Sequence, residues 1–508
     1  MFRLTIAYVT AAATACACLA ADRPNIVLIY ADDVGYGDVS CYGQQTLPTP
    51  NIDRLAAEGL RFTDAHASAA TCTPSRYAML TGQYAFRRQD TGIRSGASNL
   101  IIDPATATLP GRLRSVGYDT AVVGKWHLGL GDGPIDWNGS IHPGPEAVGF
   151  GYHFLIPATG DRTPCVYVEQ GRVVGLDPDD PIQVSYDHPV GDDPTGRERP
   201  DLLKQQTTHG HDQTVVNGIS RIGYMSGGHS ARWVDEDMAD VITSKAIEFI
   251  ERRRDAPFFL FFSTHDVHVP RVPHARFVGA TGLGPRGDAM AQLDWCVGEV
   301  LRRLDELGLA DSTLVVFTSD NGPVLDDGYA DRANEQLGRH TPAGPFRGGK
   351  YSKFEGGTRV PLLVRWPGHA PAGEVSPALF GQVDLAATLA TLVGADIPEG
   401  AFTDSRNELD AFLGEDRSGR PFLVHEANGL ALRKGDWKYV SPGPTRERLG
   451  PWTTANIGDR GALFHLGEDP SEATDLSQRY PEVAAELRQL LAAIVDAPGP
   501  ETSRASQR

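Results

Sequence analysis

The sequence predicts an α/β fold in which helices pack on a parallel sheet, followed by a smaller antiparallel α+β subdomain. Three short apolar runs, at residues 25–30, 257–262 and 313–319, have the composition of strands buried on both faces. Helical patterns separate these runs, as expected for strands joined by crossover helices. Near residue 415 the pattern changes to short strands with turn signals, which indicates the second, smaller unit.

The remaining elements follow from local patterns. Helices are predicted, from apolar periodicity between start and stop signals, at residues 49–59, 236–254, 287–307, 383–390 and 481–495. Further strands are predicted at residues 121–123, 362–365, 431–440 (as a hairpin) and 463–466. Residues 134–213 are rich in Pro, Gly and Asp and are predicted to form an irregular insert, which is usually functional at this length. We expect a large domain over residues 22–415 and a C-terminal subdomain over residues 416–508.

The N-terminus has the pattern of a secretory signal peptide. Arg3 precedes an apolar run over residues 4–19, and the small residues Ala20 and Ala21 follow it. The run is too short for a membrane span, so we predict that residues 1–21 are a cleaved signal peptide and that the protein is exported to the periplasm or outside the cell. Lipoprotein anchoring at Cys16 or Cys18 is the alternative, although neither cysteine has a leucine three positions before it.

Charge and cysteine content limit the classes of partner. The formal net charge is −18, which argues against nucleic acid and against anionic membrane surfaces as partners. An anionic substrate would therefore need a local concentration of positive charge. Disulfides are optional, because conversion of Cys72, argued below, leaves only Cys41, Cys165 and Cys296 after the signal peptide.

Two predicted strands end in groups of hard oxygen ligands. Asp32 and Asp33 follow the first strand, and Asp320 and Asn321 follow the strand at 313–319. The carboxyl ends of parallel strands meet at one edge of a sheet, where ligands bind. Because adjacent buried carboxylates need a cation, these four residues predict a site for Ca²⁺ or Mg²⁺.

The most informative stretch is Cys-Thr-Pro-Ser-Arg at residues 72–76, followed by Leu-Thr-Gly at residues 80–82. Pro74 suits the first turn of a helix, whose N-terminus attracts anions, and Arg76 is placed to hold a tetrahedral oxyanion bidentately. The stretch resembles the signature of type I, formylglycine-dependent sulfatases. This resemblance implies that a formylglycine-generating enzyme or an anaerobic sulfatase-maturating enzyme oxidises Cys72 to formylglycine, whose hydrate is the nucleophile and also contacts the metal.

Three further stretches extend the resemblance. Gly-Lys-Trp-His-Leu-Gly at residues 124–129 is similar to the second sulfatase signature, which implies that Lys125 steadies the formylglycine hydrate and that His127 acts on it as a base. His268 stands in a His-x-Pro after a strand, which implies contact with the sulfate and the leaving oxygen; His265 is the neighbouring alternative. Lys350 lies in a Gly-Lys stretch at residues 349–361 and is implied to bind the sulfate, while His268 or Lys350 protonates the departing alcohol.

The likeness covers nearly the whole chain after the signal peptide. It implies the fold of the alkaline phosphatase superfamily, a large mixed and mostly parallel sheet between helices, and a sulfuric ester hydrolase. Asp161, Arg162 and His211 in the insert are candidates for substrate contacts, which favours an exo-acting sulfatase of sulfated carbohydrates. The alternatives are a simple arylsulfatase, a formylglycine-dependent phosphonate or phosphate ester hydrolase, and a non-catalytic carbohydrate-binding relative.

Overall fold

The structure, a computed structural model, describes residues 23–43, 46–447, 449 and 453–497. The predicted signal peptide at residues 1–21, with Cys16 and Cys18, lies outside the described residues. Its assignment therefore stays a prediction.

The strands are numbered here in chain order. They are β1 Asn25–Ala31, β2 Leu60–Phe62, β3 Ala65–His66, β4 Asp119–Lys125, β5 Tyr152–Ile156, β6 Val168–Glu169, β7 Arg172–Val173, β8 Gln183–Ser185, β9 Val215–Val216, β10 Ile219–Ser220, β11 Tyr224–Ser226, β12 Phe258–Ser263, β13 Thr313–Ser319, β14 Leu362–Arg365, β15 Glu374–Ser376, β16 Phe380–Gly381, β17 Leu423–Ala427, β18 Gly429–Lys434, β19 Trp437–Val440, β20 Gly443–Arg446, β21 Thr454–Ile457 and β22 Ala462–His465.

The α-helices are numbered in the same way. They are α1 Pro50–Ala57, α2 Cys72–Thr81, α3 Leu109–Ser115, α4 Met238–Arg253, α5 Gly284–Glu306, α6 Glu355–Thr358, α7 Leu385–Leu392, α8 Leu409–Phe412 and α9 Pro481–Asp496. The five helices predicted from periodicity are all present, with ends that differ from the predicted ones by at most three residues.

Ten strands form the large sheet in the order β15-β2-β14-β13-β1-β12-β4-β5-β6-β7. The five central strands from β13 to β5 run parallel to one another, whereas β14, β6 and β7 pair antiparallel with their neighbours. The predicted mixed and mostly parallel sheet is therefore confirmed.

Helices cover both faces of this sheet. Every residue of β1, β12 and β13 is buried, which requires cover on both faces. The helices form two groups, each in contact within itself: α1, α4 and α5 in one, and α2, α3 and α7 in the other. The sheet lies between the two groups, as the apolar strand compositions predicted.

The insert at residues 134–213 is more ordered than we predicted. Its segment Tyr152–Ile156 is β5, which pairs in parallel with β4 and extends the large sheet. The prediction of an irregular insert was wrong here, because a five-residue strand surrounded by Gly and Pro gives a weak periodic signal. The rest of the insert contains strands of two or three residues, turns, and two short 3₁₀ helices at Pro145–Val148 and Pro200–Leu202.

The C-terminal part forms a separate antiparallel sheet in the order β17-β18-β19-β22, against which α9 packs. The predicted hairpin over residues 431–440 is the β18-β19 pair. The predicted boundary at residues 415 and 416 falls between α8 and β17.

Two further features are the state of the cysteines and the character of the helices. The four cysteines that the structure describes, Cys41, Cys72, Cys165 and Cys296, are free thiols. Within the described ranges, no helix has the length and apolar character needed to cross a membrane.

The buried His153 on β5 should make the stability of the fold depend on pH. Its Nε2 accepts a hydrogen bond from the Gly171 N–H at 2.8 Å, and burial lowers its pKa from 6.5 to about 4. Between about pH 6.5 and 4, His153 is therefore protonated in the unfolded chain and neutral in the folded one. The folded state loses stability as the pH falls through this range. The variant His153→Gln keeps a hydrogen-bond acceptor but does not titrate. Between about pH 7.5 and about pH 4.5, the free energy of unfolding should therefore fall by about 2 kcal/mol less in the variant than in the wild type.

Denaturant unfolding of both proteins at the two pH values measures this contribution, since other titrating groups are common to both. An equal difference in unfolding free energy between wild type and variant at both pH values would contradict it.

Candidate active site

The four predicted metal ligands meet at the carboxyl edge of the large sheet. Strands β1 and β13 lie side by side with Ala31 opposite Ser319, so the residues that follow each strand are neighbours. The Asn321 Nδ2 donates to Asp33 Oδ1 at 2.7 Å, and the Asp33 N–H donates to Asp320 Oδ1 at 3.4 Å. Parallel pairing therefore brings together two dipeptides that are 287 residues apart in sequence.

Three carboxylates are buried side by side in this group. Asp32, Asp33 and Asp320 are at most 1% exposed. Burial, together with the charge of Asp320, raises the pKa of Asp32 to about 8. Such a cluster needs positive charge nearby, because each buried carboxylate loses its hydration.

The cluster fits a hard divalent cation. Among the residues that the structure describes, the buried oxygen atoms Asp32 Oδ1 and Asn321 Oδ1 have no hydrogen-bond partner, so each has a lone pair available as a ligand. Oxygen atoms of Asp32 and Asp33 also lie within 4.8 Å of a ring nitrogen of His268. Carboxylate and amide oxygens are the donors that Ca²⁺ and Mg²⁺ prefer.

Helix α2 begins at Cys72, and all ten of its residues are buried. Burial raises the pKa of the Cys72 thiol, although the nearby charges of Lys125 and Lys350 oppose this. The side chain faces the cavity described below.

Arg76, one turn into the same helix, contacts the end of the sheet. Its Nε donates to Asp320 at 2.9 Å and its Nη1 donates to the Lys125 carbonyl at 3.1 Å and to the Ser263 hydroxyl. These contacts neutralise Asp320 and tie α2 to the sheet edge. The bidentate contact between Arg76 and an oxyanion stays a prediction.

Lys125 is the last residue of β4, and its Nζ lies 2.6 Å from Asp32 Oδ2 and 3.7 Å from Asp320 Oδ2. His127 does not continue along the strand direction, because its backbone is left-handed with φ of 56°. The side chains of Lys125 and His127 therefore do not follow the alternation of an extended strand.

The tautomer of His127 follows from its partner. Nε2 lies 2.8 Å from the Arg94 carbonyl, which can only accept, so Nε2 carries the proton and Nδ1 a lone pair. Burial and the charge of Lys125 hold the pKa of His127 well below its usual value. The buried Nδ1 has no hydrogen-bond partner in the described part of the chain and is available as a base.

His268 and Lys350 approach the cluster from two other segments. His268 follows β12; its Nδ1 donates to the Val269 carbonyl at 2.7 Å and its Nε2 lies 4.0 Å from Asp33 Oδ2. Lys350 Nζ lies 3.0 Å from the Asp33 carboxylate and 2.9 Å from Asp327 Oδ2. Although burial opposes its charge, Asp327 and Asp33 hold the pKa of Lys350 well above its usual value.

These groups border a cavity of about 50 Å³. Six of the predicted site residues line it: Cys72, Asp161, Arg162, His211, His268 and Lys350. By the measure on which one water molecule needs about 10–15 Å³, the cavity has room for a small anionic group.

The three predicted substrate residues form one network in the wall of this cavity. The His211 Nε2 lies 3.0 Å from Asp161 Oδ2, and the Arg162 Nη1 donates to Asp161 Oδ1 at 2.7 Å. Thr159 donates to the same carboxylate. Although burial opposes it, the charge of Arg162 and the hydrogen bond from His211 hold the pKa of Asp161 well below its usual value.

Four lining residues were not predicted from the sequence: Ile93, Ile222, Asp327 and Tyr351. Asp327 lies seven residues after Asp320 in a polar segment without periodicity, so no local signal distinguishes it from a solvated loop residue. Tyr351 adjoins Lys350 in the resembling stretch, and its side chain hydrogen bonds to Asp327 at 3.0 Å. Adjacency to Lys350 was the one available signal for Tyr351.

A second buried group, His66, Glu355 and His425, also has the spacing of metal ligands. Glu355 is paired with Arg359 at 2.6 Å and with Lys438 at 3.0 Å, so its charge is already compensated. This group is therefore a structural ion-pair cluster.

The comparisons with known proteins agree with the geometry of the sheet and the site. A family model described as Sulfatase matches residues 24–395. The chain belongs to the sulfatase family, whose members hydrolyse sulfate esters and share a formylglycine nucleophile and a divalent cation.

Particular relatives lie close to this chain. It is 52% identical to the N-acetylgalactosamine-6-O-sulfatase of Bacteroides thetaiotaomicron over 93% of both chains. It is 33% identical to arylsulfatase A of Homo sapiens, over 92% of this chain and 87% of that one. A solved structure described under the metabolism of multiple glycosaminoglycans by Bacteroides thetaiotaomicron has a TM-score of 0.90 at 52% identity, and the match covers 93% of this chain and 99% of that one.

We expect that substitution of one metal ligand releases the cation. Asp32→Ala should lower kcat by about 100-fold or more and lower the bound divalent metal below stoichiometric amounts, because it deletes an oxygen ligand from a buried site. Elemental analysis and activity after chelation and readdition of Ca²⁺ or Mg²⁺ measure both effects.

Asp311→Ala is the matched control, since Asp311 is an exposed acidic residue just before β13. Its metal content and activity should equal those of the wild type. Full activity of the wild type after exhaustive chelation would rule out the assignment.

Proposed function

We propose that this protein is an exported carbohydrate sulfatase that removes a 6-O-sulfate from a terminal N-acetylgalactosamine residue. One observation carries the proposal: Cys72, Lys350 and His268 share a small cavity with the Asp161–Arg162–His211 network. The first set suits the sulfate and the second suits sugar hydroxyl groups. The 52% identical relative is named for this substrate, whereas arylsulfatase A is only 33% identical.

The proposal includes exo action. In the proposed complex the sulfate group enters the cavity and the sugar ring lies at the rim. A terminal sugar can turn its sulfate into such a pocket, whereas an internal sugar has a chain on both sides. Ile93, which is 40% exposed at the rim, and Ile222 offer apolar surface to the sugar ring.

The cation would be held by Asp32, Asp33, Asp320 and Asn321, with position 72 beside them. When bound, it would neutralise charge that builds up on the sulfuryl oxygens. The donor set suits Ca²⁺ and Mg²⁺ alike, since both prefer oxygen ligands.

Lys125, Lys350 and His268 have separate tasks in the proposed reaction. Formylglycine at position 72 supplies a geminal diol, one hydroxyl of which attacks sulfur. Lys125 and Lys350 place positive charge at this position and at the sulfate. Of the two candidates for protonating the leaving alcohol we propose Lys350, because Asp327 and Asp33 keep it charged, whereas burial and the charges of Lys350 and Lys125 lower the pKa of His268.

His127 completes the cycle. Its Nδ1 lone pair takes the proton of the second hydroxyl at position 72, which expels sulfate by C–O cleavage and restores the aldehyde. The Arg94 carbonyl holds the ring in the required tautomer. In this scheme Arg76 positions Asp320.

The modification of Cys72 gives a mass prediction. When the protein is coexpressed with a formylglycine-generating or anaerobic sulfatase-maturating enzyme, the tryptic peptide of residues 62–76 should lose ~18 Da as thiol becomes aldehyde. Peptides that contain Cys165 and Cys296 should keep their mass, because neither cysteine lies in a Cys-x-Pro-Ser-Arg sequence. Fully active enzyme whose Cys72 is entirely unmodified would refute the mechanism.

The substrate assignment is checked by a panel of esters. The kcat/KM for N-acetylgalactosamine 6-sulfate should exceed that for its 4-sulfate isomer and for an aryl sulfate by about 100-fold or more, because only the correct sugar satisfies the buried polar groups of the rim. Higher kcat/KM for the aryl sulfate than for every sugar sulfate would replace this assignment by a simple arylsulfatase.

The same panel should include sulfate, phosphate and phosphonate esters of one phenol. A preference for the phosphorus esters would indicate a phosphonate or phosphate ester hydrolase, the other alternative with the same nucleophile and metal ligands.

A further inference from the structure

Asp327 is a cavity-lining carboxylate to which the reaction scheme gives no contact with the substrate. It is 9% exposed and lies in the segment between β13 and α6. Its Oδ2 is 2.9 Å from Lys350 Nζ, and the Tyr351 hydroxyl lies 3.0 Å from its Oδ1 and 3.2 Å from its Oδ2. A carboxylate beside an anionic substrate is unfavourable unless it has a partner in the complex.

The segment that carries Asp327 is held by the same insert that carries His211. The Thr208 N–H donates to the Gly328 carbonyl at 3.0 Å, and the Ala330 N–H donates to the Gln206 carbonyl at 2.8 Å. The preceding residue, Asp326, accepts from the Thr208 hydroxyl at 2.8 Å. Asp327 therefore sits on a fixed backbone at the cavity, as a specificity residue must.

The two carboxylates in the cavity wall differ in their remaining hydrogen-bond capacity. A carboxylate can accept about four hydrogen bonds. Asp161 is surrounded by donors from Thr159, Arg162 and His211, with contacts on both oxygens. Asp327 receives hydrogen bonds from two groups only, Lys350 and Tyr351, within the described ranges. Of the two, Asp327 retains capacity for a donor from a ligand.

We propose that Asp327 is a specificity-determining residue, which accepts a hydrogen bond from a hydroxyl group of the sulfated sugar and disfavours sugars that carry a second anionic group there. This inference rests on the proposed function, because it requires a sugar at the rim. Lys350 and Tyr351 hold the carboxylate in place, so its remaining lone pairs can meet only a donor. A hydroxyl supplies one, whereas a second sulfate supplies only acceptors and negative charge.

The test compares Asp327→Asn with wild type on three substrates: the best monosulfated sugar, the same sugar with a second sulfate, and an aryl sulfate. We expect kcat/KM for the monosulfated sugar to fall by about 10- to 100-fold, as for loss of a hydrogen bond to a charged group. The aryl sulfate should change by less than about threefold, because it offers no such hydroxyl and Lys350 keeps Asp33. The rate for the disulfated sugar relative to the monosulfated one should rise by about tenfold.

A binding measurement separates the hydroxyl contact from effects on chemistry. The desulfated sugar, used as a competitive inhibitor, should bind Asp327→Asn more weakly by a factor similar to the loss in kcat/KM. Asp326→Asn is the matched control: it removes the same charge one residue away, and its carboxylate accepts from Thr208 and the Gly328 N–H. It should keep all three activities within about threefold of wild type.

Three outcomes would overturn the inference. Equal losses for the sugar and aryl sulfates in Asp327→Asn would show that Asp327 acts only through Lys350. Equal losses in Asp326→Asn and Asp327→Asn would show that the segment, and not the carboxylate, matters. Wild-type enzyme that turns over the aryl sulfate and no sugar sulfate would overturn the proposed function and this inference with it.

Discussion

The burial of Asp32, Asp33 and Asp320 at one edge of the sheet is the constraint on which the rest of the site depends. Three carboxylates are stable there only when positive charge surrounds them. The cations come from distant segments: Arg76 from α2, Lys125 from the end of β4, and Lys350 from the loop before α6. Charge compensation therefore fixes the relative positions of these segments, and with them the position of Cys72. The same positive charges are then available to an anionic substrate.

The C-terminal subdomain takes part in this arrangement, because it holds the loop that carries Lys350. The Ser352 hydroxyl donates to the Arg446 carbonyl at 2.6 Å, and the Lys353 N–H donates to the Thr445 hydroxyl at 2.8 Å. Glu472 accepts from the Glu355 N–H at 2.6 Å and pairs with Lys438 at 3.1 Å. The buried cluster around Glu355 thus joins the large domain to the C-terminal subdomain near Lys350. The subdomain therefore positions the loop that carries Lys350.

The cavity wall that faces away from the metal ligands is built from two segments without regular structure. Thr207 and Tyr329 form a β-bridge between the insert and the segment after β13, and His211 packs on Tyr329 with ring centroids 4.8 Å apart. This pairing holds the segment that carries His211 against the segment that carries Asp327. The groups that we propose for sugar recognition therefore lie on these two segments, and Lys350 links Asp327 to Asp33 at the sheet edge.

The sequence by itself determined the α/β class, the strand ends at Asp32 and Asp320, and the stretch around Cys72, because these depend on local composition and short spacing. It could not determine β5, whose five residues pair with β4 only once the sheet exists. Nor could it determine the side-chain partners. Arg76 pairs with Asp320, 244 residues away, and Asp33 and His127 have left-handed backbones that turn their side chains from the extended direction. These features depend on tertiary structure, because the partners of a buried charge come from segments that are distant in sequence. A local sequence pattern does not say which segment will provide the partner.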